Sequence, residues 1–560
     1  MTSTKKGSES CLRCGFDSNT TLRLTDNPSP FRHLISVNGV ASAKDASLIN
    51  DYLRKVHGEI QRLETILQET QEEKNRLQSI ADSHAALISS FRKFPPEVLA
   101  TIFQHTIAIP PPCYQSPWLP GDMTHIYAAL CTLGSVCRHW RETVLSTPSL
   151  WAQFNVGLRR TREVESRLPL LKTMLDRSRD ADLSIGRYGL IDDGFDERSV
   201  RALLECLVPT SHRWKNASID FDDDSQDMYE QIQGRLPLLE RLELRSIYSH
   251  TVFWKDFHAF EDAPRLRELA LGKGLSPVHE FPLPWSQITR LYINDHINPD
   301  DLYGVFSITP NLQFLRVSGQ NEEGSSSAWD PDESNVFIVC STLRDLDVAD
   351  PALFRAAILP SLEEISIDFL SADAEDDDKY GADLFYDFLH RSQCPMRKLT
   401  IQLGEDFDAF ERIFDQASRL TCLDITLQTM DSASILFDLL GSIPKSLPQL
   451  QSLKVVCIAW EAYNEYDDAD LGEGISGLFI SRYLTFAADI LSVHVEVVLG
   501  GKMVANPLRP YERTPDGPFL SEPFWNSFEK HLRVAPELRS RMVTEKKEHC
   551  AIICVNPVTT

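Results

Sequence analysis

The sequence predicts a multidomain α+β protein, in which a long N-terminal helix precedes a compact helical unit and an array of alternating strands and helices. Its 560 residues correspond to about three or four domains at roughly 150 residues each. A heptad run of apolar residues predicts the long helix, and a short apolar motif that recurs through the second half predicts the array. Hydrophobic residues make up 42% of the chain, which is enough to form more than one buried core.

The charge of the chain argues against two classes of partner. The 81 acidic residues outnumber the 56 basic ones, and the net charge of −25 repels phosphate backbones and anionic membranes. We therefore expect no nucleic acid and no membrane among the partners. The N-terminal residues lack the apolar core of a signal peptide, so the 12 cysteines are expected to be reduced thiols in the cytoplasm and/or the nucleus.

A heptad pattern in residues 46–90 follows a polar, flexible leader at residues 1–45. Positions spaced alternately by three and four residues are mostly apolar, which predicts a long helix with a coiled-coil seam. Two interpretations stay open: a homodimer through residues 53–88, or a single amphipathic helix packed on the rest of the chain. The seam consists of Leu53, Val56, Ile60, Leu63, Leu67, Thr70, Lys74, Leu77, Ala81, His84 and Ile88.

Residues 91–157 carry a second helical signal. The sequence Phe94-Pro95-Pro96-Glu97 is typical of a helix start, because proline fits the first turn and an acid favours the N-terminus. A proline-rich insertion at 106–126 separates this helix from a second one, which runs into Cys137-Arg138-His139-Trp140-Arg141. The sequence Pro148-Ser149-Leu150-Trp151 closes the unit.

These motifs resemble an F-box, and the flanking heptad helix and repeats resemble the expanded set of mushroom-type (basidiomycete) fungal F-box proteins. The insertion departs from the family pattern, and Phe94 stands where the family usually has leucine. The resemblance implies a three-helix unit that binds the Skp-type adaptor, and through it the cullin scaffold, of an SCF-type cullin-RING ubiquitin ligase. No cofactor is implied.

The size of the unit agrees with a role in binding. About 45 residues without the insertion are too few to bury all their apolar side chains on one another, so an apolar patch should remain exposed. Each apolar residue could instead pack between helices. By the resemblance, the residues that contact the adaptor or shape its face are Phe94, Pro95, Leu99, Ile102, Phe103, Val136 and Trp140. The structural residues of the F-box are Pro148, Leu150 and Trp151.

A motif of the form LxxLxL recurs through residues 211–456, in steps of 19–34 residues that average about 26. Each copy predicts a short strand, and the whole resembles an irregular leucine-rich-repeat solenoid. Another α/β array stays open, because the Asn or Cys that the family carries after each strand is missing. Residues 158–210 are interpreted as a linker or N-terminal cap, and residues 457–560 as a C-terminal cap and tail. The ten copies begin at Trp214, Leu239, Leu266, Ile288, Leu312, Leu343, Leu362, Met396, Leu420 and Leu450.

The strand period of two predicts that the third and fifth residues of each copy face solvent, Glu243 and Glu268 among them. These positions are of mixed charge in the early copies and acidic in the middle ones, which would suit a charge-patterned protein target. An ordinary solvated face is the alternative. The candidate target-binding residues are Arg241, Arg290, Tyr292, Arg316, Asp345, Asp347 and Glu364.

The sequence contains no phosphate-binding loop, zincin motif or nucleophile elbow, so we predict no catalytic, cofactor-binding or metal-binding residue. Cys11 and Cys14 form an isolated pair, whereas a structural zinc site needs four ligands. The expected function is that of a non-catalytic substrate-receptor subunit that holds a protein target near the ligase. The alternatives are an adaptor-binding or coiled-coil scaffold without a role in ubiquitination, and an enzyme whose dispersed site leaves no motif.

Overall fold

The computed structural model divides the chain into two compact units, residues 1–98 and 99–560, which are described separately. Most of the leader and most of the insertion fall outside the described residues. The described residues are 29–37, 39–88, 90–107, 121–158, 162–189, 197–221, 226–246, 257–272, 275, 278–295, 297, 299–318, 337–349, 351–368, 377–403, 408–427, 430–442, 447–457, 475, 478, 494–499, 502–503, 511–512, 522–533, 542–547 and 550–555.

The first unit is dominated by a helix of 46 residues, α2 (Ala43–Ile88), which follows the short helix α1 (Arg32–Ser36). Ser42 caps the N-terminus of α2. The backbone N–H of Asp45 donates to Ser42 Oγ at 3.2 Å, and the Ser42 hydroxyl donates to the Asp45 carboxylate at 2.6 Å. The long helix predicted from the heptad pattern is confirmed.

Gly58 lies within α2 on the side opposite the apolar seam, and a Cβ placed there meets no atom within 4 Å. We expect Gly58→Ala to raise the free energy of unfolding by about 1 kcal/mol, because glycine loses more backbone entropy than alanine in a helix. Thermal unfolding followed by far-UV circular dichroism measures this. As a control, Gly304→Ala puts its Cβ 2.5 Å from the His279 ring and should destabilise. Equal shifts for both variants would contradict the expectation.

The helical segment predicted from the F-box-like motifs consists of three helices. They are α3 (Pro96–Ile107), α4 (Met123–Val136) and α5 (Arg138–Ser146). The division between residues 1–98 and 99–560 falls within α3. A 3₁₀ turn at Pro148–Trp151 ends this segment.

The second unit continues with a 15-stranded sheet. Its strands are β1 (Gln153–Leu158), β2 (Leu183–Gly189), β3 (Trp214–Phe221), β4 (Arg241–Ser246), β5 (Glu268–Leu271), β6 (Arg290–Ile293), β7 (Phe314–Val317), β9 (Asp345–Val348), β11 (Glu364–Asp368), β12 (Lys398–Leu403), β13 (Cys422–Leu427), β14 (Ser452–Cys457), β15 (His494–Leu499), β18 (Met542–Lys547) and β19 (Cys550–Val555). Two small two-stranded sheets pair β8 (Ile338–Val339) with β10 (Ala357–Ile358) and β16 (Lys502–Met503) with β17 (Tyr511–Glu512). The remaining helices are α6 (Arg162–Ser178), α7 (Glu197–Leu207), α8 (Gln226–Glu230), α9 (Pro299–Ile308), α10 (Asp377–Ser392), α11 (Asp408–Gln416), α12 (Met430–Ser442) and α13 (Glu522–Leu532).

The strands of the large sheet follow one another in chain order and pair in parallel from β1 to β15, after which β19 and β18 add antiparallel pairs. All ten strands predicted from the LxxLxL motif are present, so that part of the prediction is confirmed. The sheet also extends beyond the motif in both directions. Residues 158–210 contribute β2, and residues 457–560 contribute β15, β18 and β19.

The fourth and sixth residues of the motif form the buried side of the sheet. Leu242, Leu269 and Leu291 occupy one register position on successive strands, and each is completely buried. A burial of this kind contributes roughly 1.5–3 kcal/mol for each side chain. Parallel pairing in register therefore stacks the apolar residues of the repeats into one continuous core.

Candidate protein-interaction surfaces

Helices α3, α4 and α5 each contribute buried side chains to the interior of the helical segment. Leu99 and Phe103, one helical turn apart on α3, are 0% and 1% exposed. The Phe103 ring meets the half-buried Trp140 ring edge-on, with centroids 4.9 Å apart. Leu99 and Phe103 were predicted to contact the adaptor or shape its face, and the structure places both in the interior.

The same three helices leave aliphatic side chains exposed. Ile102 on α3 is 38% exposed, Val136 at the end of α4 is 58% exposed and Leu145 on α5 is 44% exposed. In the first unit Pro95 is exposed and Phe94 is half-buried, with its ring 5.3 Å from that of Phe91. Of the predicted adaptor residues on α3 and α4, Ile102 and Val136 are therefore the ones available to a partner.

Trp151 joins the 3₁₀ turn to its neighbours. Its indole N–H donates to the backbone carbonyl of Val144 at 2.8 Å, and the guanidinium of Arg177 on α6 lies 4.4 Å from the ring centre. Leu150 and Trp151 are 0% and 1% exposed, and the half-buried Pro148 begins the turn. The turn thus ties α5 to α6, where the sheet-bearing part of the chain begins.

A charged pair fixes the start of α4. Asp122 caps the helix by accepting from the Thr124 N–H at 2.8 Å, and Arg167 on α6 donates to its other oxygen at 2.8 Å. Burial alone would raise the pKa of Asp122, but the hydrogen bonds from Thr124 and Arg167 outweigh burial and hold it below its usual value. Asp122 therefore stays ionised and holds α4 against α6.

The candidate target-binding residues fall into two register rows on the other side of the sheet. The row of third positions runs through Arg241, Glu268, Arg290, Phe314, Asp345, Glu364 and Lys398 on successive strands. The row of fifth positions runs through Glu243, Ala270, Tyr292, Arg316, Asp347 and Ser366. Residues that are 19–34 positions apart in the sequence thereby become direct neighbours.

An aromatic and guanidinium cluster occupies β6 and β7. The Arg290 guanidinium lies 4.0 Å from the centre of the Phe314 ring and donates to the Tyr292 hydroxyl at 3.1 Å. The Tyr292 and Phe314 ring centres are 4.8 Å apart, and Arg316 lies 5.8 Å from the Tyr292 ring. These contacts fix the position of the Arg290 guanidinium.

Ion pairs connect neighbouring strands along both rows. Arg316 Nε donates to Asp347 Oδ2 at 2.6 Å, across β7 and β9. Arg241 approaches Glu268 at 3.1 Å at one end of the surface, and Glu364 approaches Lys398 at 3.7 Å at the other. Much of the mixed charge noticed in the sequence is therefore compensated within the sheet.

The prediction that every third and fifth position faces solvent is wrong at four places. The fifth positions of β3, β4 and β5 are buried, with Ser218, Glu243 and Ala270 3%, 2% and 5% exposed, and the third position of β7, Phe314, is 6% exposed. Arg245, two residues along the same strand, lies 3.8 Å from the Glu243 carboxylate and reaches Ser218 at 3.4 Å. The Arg245 side chain lies against Gly272, where the Cβ of any other residue would be 2.7 Å from Arg245 Cγ. The accessible part of the fifth row therefore begins at Tyr292, on β6.

Asp345 lies in the middle of the accessible region. Burial, and then the neighbouring Glu364 and Asp347 carboxylates, raise its pKa to about 6, against the opposing charges of Arg290 and Lys398. Its carboxylate makes no hydrogen bond or ion pair with any residue that the structure describes. A partner cation placed here would relieve the repulsion among these carboxylates.

The raised pKa of Asp345 gives a pH-dependent prediction. As the pH rises from 3.8 to about 6, the unfolded chain releases this proton while the folded chain keeps it, so stability falls through this window. Asp345→Asn removes that fall, so the variant should gain stability over the wild type as the pH rises and keep the gain above pH 6. Urea unfolding on both sides of the window measures the difference. A difference that does not change with pH would contradict the assignment, and Glu364→Gln should reduce the wild-type slope.

Reactive thiols and metal sites place specific requirements on the cysteines and acidic residues that the structure describes. Burial raises the pKa of the Cys394 thiol to about 11, which keeps it protonated near neutrality. Among the described residues, no group of three or more His, Cys, Asp or Glu is placed to hold a metal ion. Cys11 and Cys14 lie outside the described residues. No described helix has the length and apolar character needed to span a membrane.

Comparisons with known proteins add little beyond this geometry. No protein-family model matches the chain, and no curated protein matches it. Among solved structures, it is similar to the leucine-rich repeat-containing protein LegL7 from Legionella pneumophila. That similarity has a TM-score of 0.31 and 14% sequence identity, and covers 62% of this chain and 97% of the other. The strand pairing, rather than this likeness, establishes the parallel sheet.

Two residues of the strand rows were not among the candidates from the sequence. The buried Phe314 supports Arg290 from the neighbouring strand. Lys398 forms an ion pair with Glu364. Aligning the motifs by their fourth residue places both in the third row, so this signal was present in the sequence.

Proposed function

We propose that this protein is a substrate-receptor subunit of an SCF-type cullin-RING ubiquitin ligase. The observation that supports it is the set of exposed aliphatic side chains on three short helices, Ile102, Val136 and Leu145, beside a well-packed interior. An adaptor that covered these side chains would complete the apolar core of the small unit. The chain itself performs no covalent step in this proposal; it brings a target lysine near the charged enzyme.

The strand array would bind the target. One parallel strand for each motif, in chain order, supports a leucine-rich-repeat solenoid, a fold that presents its strand surface to partners. The accessible region around Arg290, Tyr292 and Asp345 offers a guanidinium held by two rings, an aromatic ring, and a carboxylate that forms no close ion pair among the described residues. We infer that the target presents a basic side chain to Asp345, next to apolar or aromatic groups that pack by Tyr292.

The test is capture of a recombinant Skp-type adaptor by the full chain. Ile102→Asp combined with Val136→Asp should weaken capture about a hundredfold or more, because each buried interface anchor typically contributes about 2 kcal/mol. Both side chains are exposed, so the variant should stay folded. The matched control is Ile435→Asp on α12, where an isoleucine is 51% exposed.

Two results would overturn the adaptor proposal: no capture by the folded wild type, or equal capture by the double variant and the control. Capture without any ubiquitin-dependent change in the abundance of a bound protein would instead support an adaptor-binding scaffold. Helix α3 also carries Leu99, but Leu99→Asp would place a charge in the interior and test folding rather than binding.

A further inference from the structure

The apolar seam of α2 is exposed along its length. Leu53, Leu63, Leu67 and Leu77 are 42%, 51%, 71% and 56% exposed. Aliphatic residues at heptad spacing that remain in water are the pattern of a helix that pairs with another helix. The seam is flanked on one side by Ile66, Ile80 and Leu87, which widen it.

We propose that α2 pairs with α2 of a second copy of this chain in the antiparallel orientation, with Leu67 of one copy facing the partner's Leu77. In this register the sum of two facing residue numbers is 144, and the two helices overlap over residues 56–88. This proposal does not depend on the proposed ligase function. It rests on how polar and apolar seam residues match in the two orientations.

A parallel, in-register pair would match like charges. Lys74 would face the partner's Lys74 inside the seam, which leaves two ammonium groups side by side in an apolar environment. Glu59 would also face the partner's Glu64 across the edge of the seam, and this repulsion would occur twice. A parallel pair would thus contain three contacts between like charges, one between the two Lys74 residues and two between Glu59 and Glu64.

The antiparallel register removes the Lys74–Lys74 and Glu59–Glu64 repulsions and leaves one like-charge contact, between the two Glu73 residues. Lys74 then faces the partner's Thr70, so the two polar seam residues share their layers, and Leu67 meets the partner's Leu77 in the adjacent layers. The flanking row also matches, because Ile66 lies beside the partner's Ile80 on both sides of the pair. Apolar residues therefore meet apolar residues in the layers of Val56, Leu63 and Leu67, and the two polar residues Thr70 and Lys74 meet each other. The exception is Ile60, which faces the partner's His84 near the ends of the overlap.

Two of the acidic flanking residues, Glu59 and Glu73, form ion pairs within their own helix. Arg62 approaches Glu59 at 2.7 Å and holds the pKa of Glu59 below its usual value through this hydrogen bond. Arg76 approaches Glu73 at 2.8 Å. In the antiparallel register Glu73 meets the partner's Glu73 at the centre of the pair, where Arg76 and Lys74 of each copy balance the charge.

The test measures distances between two spin labels in the full chain by double electron–electron resonance. A single label on p-acetylphenylalanine, at Lys55 or at Glu72, avoids the native cysteines and lies outside the seam. The antiparallel pair puts the two Lys55 labels about 50 Å apart along the axis, at 1.5 Å for each residue, and the two Glu72 labels within about 20 Å. A parallel pair puts both label pairs within about 20 Å.

Light scattering on the same samples gives the oligomeric state. Leu67→Glu should weaken the dimer about a hundredfold, because it places a carboxylate in two apolar layers, whereas the matched outward substitution Gln68→Glu should leave the dimer intact. A dimer with one long and one short distance supports the proposal. A monomeric full chain, two short distances, or equal effects of the two substitutions would overturn it.

Discussion

Replacement of Trp151 by alanine should lower the free energy of unfolding of the second unit by about 4 kcal/mol. Large-to-small substitution of a buried aromatic typically costs about 3–5 kcal/mol, and Trp151 is 1% exposed. The variant would also leave the Val144 carbonyl without its indole donor and Arg177 without the ring it covers. Urea unfolding followed by circular dichroism measures the loss.

Trp151→Phe separates packing from the hydrogen bond. It keeps an aromatic ring under Arg177 but removes the N–H that donates to Val144, so the expected loss is about 1–2 kcal/mol. The role assigned to Trp151 would be contradicted if the alanine variant lost no more stability than the phenylalanine variant. Because the turn joins α5 to α6, the alanine variant should also loosen the helical segment first.

Charge reversal at Arg316 should also lower the free energy of unfolding substantially. Arg316→Glu would remove the cation that binds Asp347 at 2.6 Å and place a third carboxylate beside Asp347 and Asp345. The side chains of Arg316 and Asp347 are 24% and 27% exposed, so solvent screens the repulsion only partly. We expect a loss of about 3 kcal/mol near neutral pH, towards the lower end of the range for breaking a buried pair.

Two further variants test whether this loss comes from the ion pair. The charge swap, Arg316→Asp with Asp347→Arg, should recover most of the stability because it restores the pair in the opposite direction. Arg241→Glu breaks a more exposed pair, in which Arg241 is 44% exposed, and should cost about 1 kcal/mol or less. Similar losses for the Arg241 and Arg316 reversals, with no recovery in the swap, would rule out the ion pair as the cause.

The long helix and the ten motif strands could be predicted from the sequence because each has a regular spacing of apolar residues. The seam from Leu53 to Ile88 predicted α2, and the motif predicted ten strands with their buried fourth and sixth residues. The ends of the sheet were not predicted. Strands β2 and β15 each pair with a motif strand, and β1 pairs with β2, although none of the three carries the complete motif. Their place in the sheet therefore depends on hydrogen bonding to neighbouring strands.

The sequence alone did not show which side chains of the candidate surfaces are exposed. On α3, Leu99 and Ile102 are both aliphatic and three residues apart, yet one is 0% and the other 38% exposed. Their difference depends on which side of the helix meets α5 through Phe103 and Trp140. A helical period identifies an apolar face, but it does not say how much of that face a neighbouring helix covers.

By itself, the sequence determined that this protein has a long heptad helix, a small helical unit with F-box-like motifs and a parallel array of strands. Only the tertiary structure decided that Glu243 is buried under Arg245 and that Asp345 lies among other carboxylates with a raised pKa. The physical reason is that burial and pKa depend on side chains from neighbouring strands. Those strands are separated by about 20–30 residues in the chain, and the register of the sheet brings them together.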